Sequence, residues 1–259
     1  MHKFFIFELA LLHYPSKISY EDRLNNIISY CIVEYGKFLE IPDNKYLNKL
    51  KKSENKFIDT YAIDDETLNR ILLSREDLGI TGGSLDNNIT RHKEANKIIK
   101  SFKYNIPKVA IHKSLFFDIR DKHVLSENEF KCLCSIYSIL GSGTFKLIRL
   151  EAIKRRYEGY FSKEHYYKSK QPGLITTKKI NRIIERLYQR KFFYRITINS
   201  RFTYYGYCNK FEDENQFIEK IKDKLNYRFS NKPKNIKINF NLTDFKENDN
   251  ILTLNVKNG

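Results

Sequence analysis

Residues 176–207 read TTKKINRIIERLYQRKFFYRITINSRFTYYGY. Two periodicities meet in this stretch. Ile180, Ile183, Ile184 and Leu187 recur at the three- and four-residue steps of a helix. At about 100° per residue they share one face, with Lys178, Arg182, Glu185 and Gln189 opposite. Lys179 and Arg186 flank that polar face. Thr176 or Thr177 supplies a hydroxyl that can accept from the orphan amides of the first turn. After Phe192 the period falls to two. Tyr194, Ile196 and Ile198 alternate with Arg195 and Thr197, the chain turns at Asn199-Ser200, and Arg201 begins a return strand through Tyr207. The pattern predicts a helix packed through its isoleucines, with a cationic ridge toward solvent, followed directly by a twisted hairpin. A helix fits the major groove of DNA, and a hairpin beside it can follow the backbone or reach the minor groove.

Charge points the same way. The chain has 259 residues and a net charge of +16, unevenly spread. Residues 141–211 hold 17 Lys and Arg against 4 Asp and Glu, which leaves only +3 for the other 188 residues. A concentrated basic module implies a polyanionic partner, because neutralising phosphates releases counterions and supplies affinity without regard to sequence. Apolar residues make up 41% and aromatics 14%, enough for a packed core, so a disordered basic chain is excluded.

Working outward, LSENEFKCLCSIYSILGSG at 125–143 places Ser126 and Glu129 in capping-box spacing ahead of Phe130, Leu133, Tyr137 and Leu140. Thr144–Ile148 reads as a short strand and RLEAIKRRYEG as a helix ending at Gly159. FSKEHYYKSKQPGLI then reads as a loop carrying Lys163, Lys168 and Lys170.

Residues 125–208 therefore run helix, short strand, helix, helix, two strands, and in that order they resemble a winged-helix domain. With IHKSLFFDIRDKHVLSENEFKCLCSIYSIL ahead of them, they are similar in layout to plasmid and phage replication initiators, which often carry tandem winged helices, one for DNA and one for dimerisation. The resemblance implies a recognition-helix role for Lys178, Lys179, Asn181, Arg182 and Glu185 and a wing role for Arg195 and Arg201. Arg186 and Arg190 continue the cationic helix, and Lys168 and Lys170 extend the footprint from the loop. One departure stands out: about sixteen residues separate the second helix from the third, where winged helices use a tight turn.

Toward the N-terminus, KFFIFELALL is too short to span a bilayer, is interrupted by Glu8 and lacks a small-residue cleavage site. It reads as a core strand or helix start. Helical spacing recurs over 19–39, 64–73 and 89–102, the last two separated by LGITGGSLDNN. That arrangement is a candidate second helix-turn-helix, but residues 64–103 carry seven bases against seven acids, which favours an ordinary helical subdomain. KVAIHKSLFFDI after Pro107 is strand-like, residues 212–229 form an amphipathic helix, and IKINFNL with ILTLNV suggests a closing hairpin.

Catalytic motifs are not legible. TGGS and GSG lack phosphate-loop spacing, and the six histidines form no metal-binding doublet. Tyr166-Tyr167 and Tyr204-Tyr205 read as packing or stacking aromatics. Asp64, Asp65 and Glu66 form an acidic cluster that could hold Mg²⁺ in a nuclease, but acids at a helix start favour the macrodipole in any case. Cys31, Cys132, Cys134 and Cys208 include no C-x-x-C pair and read as buried free thiols in a reducing cytoplasm.

The expected fold is mainly α with small β-hairpins, an α+β chain of three parts. Residues 1–106 form a helical N-terminal domain, 107–211 a winged-helix DNA-binding domain, and 212–259 a C-terminal helix and hairpin. The expected function is sequence-specific binding of double-stranded DNA, without catalysis, cofactor, metal or membrane, by a cytoplasmic homodimer. It would serve as replication initiator or transcription regulator of a mobile element. The alternatives are a nuclease or recombinase that uses the basic module to deliver substrate, and an RNA-binding or scaffold protein.

Overall fold

Two short strands about a hundred residues apart begin the first compact unit. In the computed structural model, β1 (Phe4–Glu8) pairs antiparallel with β2 (Lys108–His112), from Phe4 opposite His112 to Glu8 opposite Lys108. The structure describes residues 3–13, 18–37, 65–78, 80, 85–168, 175–198, 202–230, 236–239, 251–252 and 255–258; among these, the side chains of 65, 85, 86, 165, 168 and 226–258 are not described. The chain is α+β and mainly helical, with small sheets.

Alternation along β1 and β2 buries Phe5, Phe7, Val109 and Ile111 on one face. KVAIHKSLFFDI is a strand only to His112. At Lys113 the period changes, and α4 (Lys113–Asp121) carries Phe116 back to Phe5, with ring centroids 4.8 Å apart. Leu9–Leu12 form a buried 3₁₀ turn after β1. Helix α1 (Tyr20–Gly36) begins at Ser19, whose Oγ accepts from the Asp22 amide at 3.0 Å. Against α1 pack α2 (Asp65–Asp77) and α3 (Leu85–Ser101). Arg70 Nη1 donates to the Lys37 carbonyl at 2.7 Å, and Asn88 Nδ2 to Ser29 Oγ at 3.1 Å.

The compact units are residues 1–127 with 161–165, and residues 128–160 with 166–259. These boundaries differ from 106/107 and 211/212. Pairing of β2 with β1 draws 107–127 into the first unit, and packing of the C-terminal helix on the hairpin joins 212–230 to the second. The connection between the helices Leu150–Tyr157 and Thr177–Gln189 is not confined to the second unit. At Phe161 the chain joins the first unit, where that ring meets Phe102 at 5.2 Å and His13 at 5.7 Å.

In the second unit α5 (Glu127–Leu140) runs through the core with Phe130, Leu133 and Ile136 inaccessible to solvent. Then follow β3 (Phe145–Leu147), α6 (Leu150–Tyr157), the short α7 (Lys163–Lys168) within the expected loop, whose first residues belong to the first unit, α8 (Thr177–Gln189), β4 (Tyr194–Ile198) and β5 (Phe202–Gly206). β5 lies between β3 and β4, antiparallel to both, with Leu147 and Ile196 each opposite Tyr204. Helix α9 (Glu214–Ser230) lays Phe217, Ile218, Ile221 and Leu225 on Ile196, Ile198 and Tyr204.

The tail differs from a plain hairpin. β6 (Ile236–Asn239) pairs with β8 (Asn255–Asn258), while β7 (Ile251–Leu252) joins β4 in parallel through Thr197 and Ile198. Cys31, Cys132 and Cys134 are free and buried, and Cys208 is free and half-buried.

Candidate nucleic-acid interface

Helix α8 is fixed at both ends by local chemistry. Thr176 is its cap, with Oγ1 accepting from the Lys179 amide at 3.2 Å. At the other end the Phe192 amide reaches the Leu187 carbonyl at 3.1 Å and the Lys191 amide reaches Tyr188 at 2.8 Å, with Lys191 at φ 58°. That is a Schellman motif, which turns the chain out of the helix within two residues and lets β4 start at Tyr194. The abrupt change of period in the sequence is this motif.

Ile180, Ile183, Ile184 and Leu187 are at most 2% exposed. At about 1.5–3 kcal/mol for each fully buried side chain, they hold the helix against the core. The opposite face is open. Thr177, Lys178, Asn181, Arg182 and Glu185 line one shallow recess, and Lys179 is exposed beside it. None of Lys178, Lys179 and Arg182 has an ion-pair partner among the described residues.

A second recess, of about 420 Å³, separates α8 from the strands. Asn181 and Glu185 form its helix side, and Arg195, Thr197, Thr203 and Tyr205 its strand side. The pleat explains the strand side: Ile196, Ile198 and Tyr204 point to α9, so their alternating neighbours point to α8. Thr197 and Thr203 stand opposite each other with hydroxyls 3.1 Å apart.

The structure separates residues that the sequence groups together. Arg186 Nε lies 3.3 Å from Glu129 Oε1, and Arg190 Nη1 lies 3.8 Å from Glu129 Oε2. Glu129 on α5 is 9% exposed, so these two arginines offset a largely buried carboxylate on the far flank of α8. The Arg190 guanidinium also covers the Phe192 ring, 5.2 Å from its centroid.

Arg195 is likewise held inward rather than extended from the hairpin. Its Nη2 donates to Glu185 Oε2 at 2.6 Å, and its guanidinium lies 5.1 Å from the Tyr188 ring centroid. Burial raises the Tyr205 phenol pKa, while the nearby Arg195 charge and a hydrogen bond from Arg195 offset part of that rise.

Arg201 and Lys170 lie outside the described residues, as do the turn at Asn199-Ser200 and the side chain of Lys168. Sequence reasoning missed Thr177, Thr203 and Tyr205 as lining residues. The period of two that put Arg195 and Thr197 on one face, extended across the turn, was the signal for the last two. Arg149, exposed between the cleft residues Ile148 and Leu150, was also missed.

Other residues weighed for chemistry are engaged elsewhere. Tyr204 and Tyr205 are buried, and Tyr166 packs edge-on to Tyr160 at 5.1 Å. Glu66 pairs with Arg70, and Asp64 lies outside the described residues. Among the described residues no group of three or more His, Cys, Asp or Glu side chains is placed to hold a metal, and no helix is long and apolar enough to cross a membrane. No protein family, curated protein or solved structure matches this chain.

Proposed function

We propose that the second unit is a winged-helix module that binds double-stranded DNA in a sequence-specific way, with α8 in the major groove and the β4–β5 hairpin as the wing. The observation that carries this reading is the antiparallel placement of β3 on β5, which brings α5, β3, α6, α8, β4 and β5 together in the second unit and leaves the face of Lys178, Asn181 and Arg182 open beside the hairpin. Lysine and arginine supply sequence-independent attraction to phosphate. Asn181 and Arg182 add the side-chain types that read adenine and guanine edges.

The protein on this reading is a binder without catalytic chemistry, acting as a homodimer in the cytoplasm, and it marks an origin or a promoter of a mobile element. Dimerisation suits the short site that one recognition helix can read. Selecting bound duplexes from a fragment library of the source genome tests the reading. An enriched motif is the expected result, and its position at an origin or a promoter separates initiator from regulator. Equal retention of all fragments would overturn sequence-specific recognition. Cleavage or nicking of plasmid DNA in Mg²⁺ would favour a nuclease.

A further inference from the structure

We propose that Glu185 selects cytosine at one position of the bound DNA, and that Arg195 is the residue that positions it; this rests on α8 entering the major groove. Glu185 sits one turn beyond Asn181, where the open face of α8 meets the cleft toward the strands, and it lines both recesses. Its Oε2 is held by Arg195 at 2.6 Å, and its Oε1 lies 3.4 Å from Gln189 Nε2. Arg195 is itself held over the Tyr188 ring, 5.1 Å from its centroid, and lines the same cleft as Tyr205. The carboxylate is therefore aimed, with one oxygen committed and the other retaining capacity to accept.

An aimed carboxylate is a narrow reader, because it has no proton to donate. In the major groove cytosine presents the N4 amino donor with no acceptor on its edge. Guanine presents the acceptors N7 and O6, and thymine presents O4 and a methyl group. Adenine offers N6 but sets the N7 acceptor beside it. Cytosine is the base that matches. A carboxylate facing DNA also weakens attraction to every phosphate nearby, so its contribution is discrimination rather than affinity. Arg195, which the hairpin position suggests as a phosphate contact, instead acts through Glu185.

The test is selection from a random duplex library with the full chain as wild type, Glu185→Gln, Arg195→Gln and the double variant. Glu185→Gln is nearly isosteric and keeps an acceptor for Arg195, so it preserves the cleft. The wild-type motif should contain a position with cytosine preferred roughly tenfold. Glu185→Gln should abolish that preference while raising affinity for random duplex. Arg195→Gln should flatten the same position and leave the others, and the double variant should look like Glu185→Gln alone. Retention of every wild-type preference by Glu185→Gln would overturn the proposal, as would an Arg195→Gln effect at a different position. An enriched motif with no such cytosine would overturn it and leave DNA recognition standing. Absence of any enriched duplex would remove both.

Discussion

Gly206 on β5 and Phe217 on α9 approach so closely that a Cβ on the glycine would sit 2.6 Å from Phe217 Cε2 and 3.1 Å from Phe211 Cε2. Phe217 is fully buried and stacks on Tyr194, the residue opposite Gly206 across the strand pair, with ring centroids 5.7 Å apart. The missing side chain is thus what lets α9 close on the hairpin. Gly206→Ala should cost about 1–3 kcal/mol of stability through overpacking, measured by denaturant unfolding. Combining it with Phe217→Leu should recover part of that loss, since the two sites are in contact. Unchanged stability in the single variant would show that α9 does not dock as described.

Lys191 and Gly159 occupy equivalent positions at the ends of α8 and α6, both left-handed, at φ 58° and 88°. The glycine adopts this conformation without a Cβ penalty, and the lysine does not. Lys191→Gly should stabilise the second unit by about 0.5–1 kcal/mol, and Lys191→Val should destabilise it by at least as much. Equilibrium unfolding of the two variants checks the sign. The same order of stability for glycine and valine would contradict the Schellman geometry.

Acid should weaken the first unit through His92 and Glu34. His92 Nε2 meets Glu34 Oε1 at 2.9 Å. Burial depresses the His92 pKa, and the hydrogen bond to Glu34 only partly offsets this. Burial alone would raise Glu34, but hydrogen bonds from Lys37 and His92 outweigh it and hold the carboxyl low. Both folded values lie below the unfolded ones, so the unfolded chain takes up protons first and stability falls with pH. The His92 contribution is lost as pH drops from the ordinary histidine value, 6.5, toward the depressed folded value. The Glu34 contribution goes below the carboxylate range, as pH falls through its own folded value. Unfolding curves between about pH 7.5 and 5.5 should show the first effect, and His92→Gln should flatten it. An equal slope in the variant would rule His92 out.

Salt dependence should be shallower than the count of basic residues suggests. Arg186 and Arg190 face Glu129, and Arg195 holds Glu185. Among the described residues that leaves Lys178, Lys179 and Arg182 on α8, with Arg149 next to the cleft. Three to five phosphate contacts correspond to a slope of log K against log salt of about −3 to −5. Arg182→Ala should weaken cognate binding by about 1–3 kcal/mol if it reads a base, or flatten the slope by about one if it touches phosphate. Arg195→Gln should leave the slope nearly unchanged. Fluorescence anisotropy over a salt series measures all three, and a wild-type slope near zero would remove DNA as the partner.

By itself the sequence determined what is written in near neighbours. A threonine cap at 176 or 177, the isoleucine stripe of α8, the change of period around Phe192 and the opposing faces of β4 depend on residues a few positions apart, and the backbone periods of 3.6 and 2 make them legible. Only the tertiary structure decided which of the basic residues on that ridge are engaged. Arg186 and Arg190 are claimed by a glutamate more than fifty residues earlier, and Arg195 by one on the neighbouring helix. The same holds for β1 with β2, for α9 with the hairpin, and for the parallel β7 on β4. Periodicity says which face of an element is apolar or charged and carries no information about which other face it meets. That choice is made by closing long loops around shared apolar surface, and it determines whether a charge is satisfied within the protein or left for a partner.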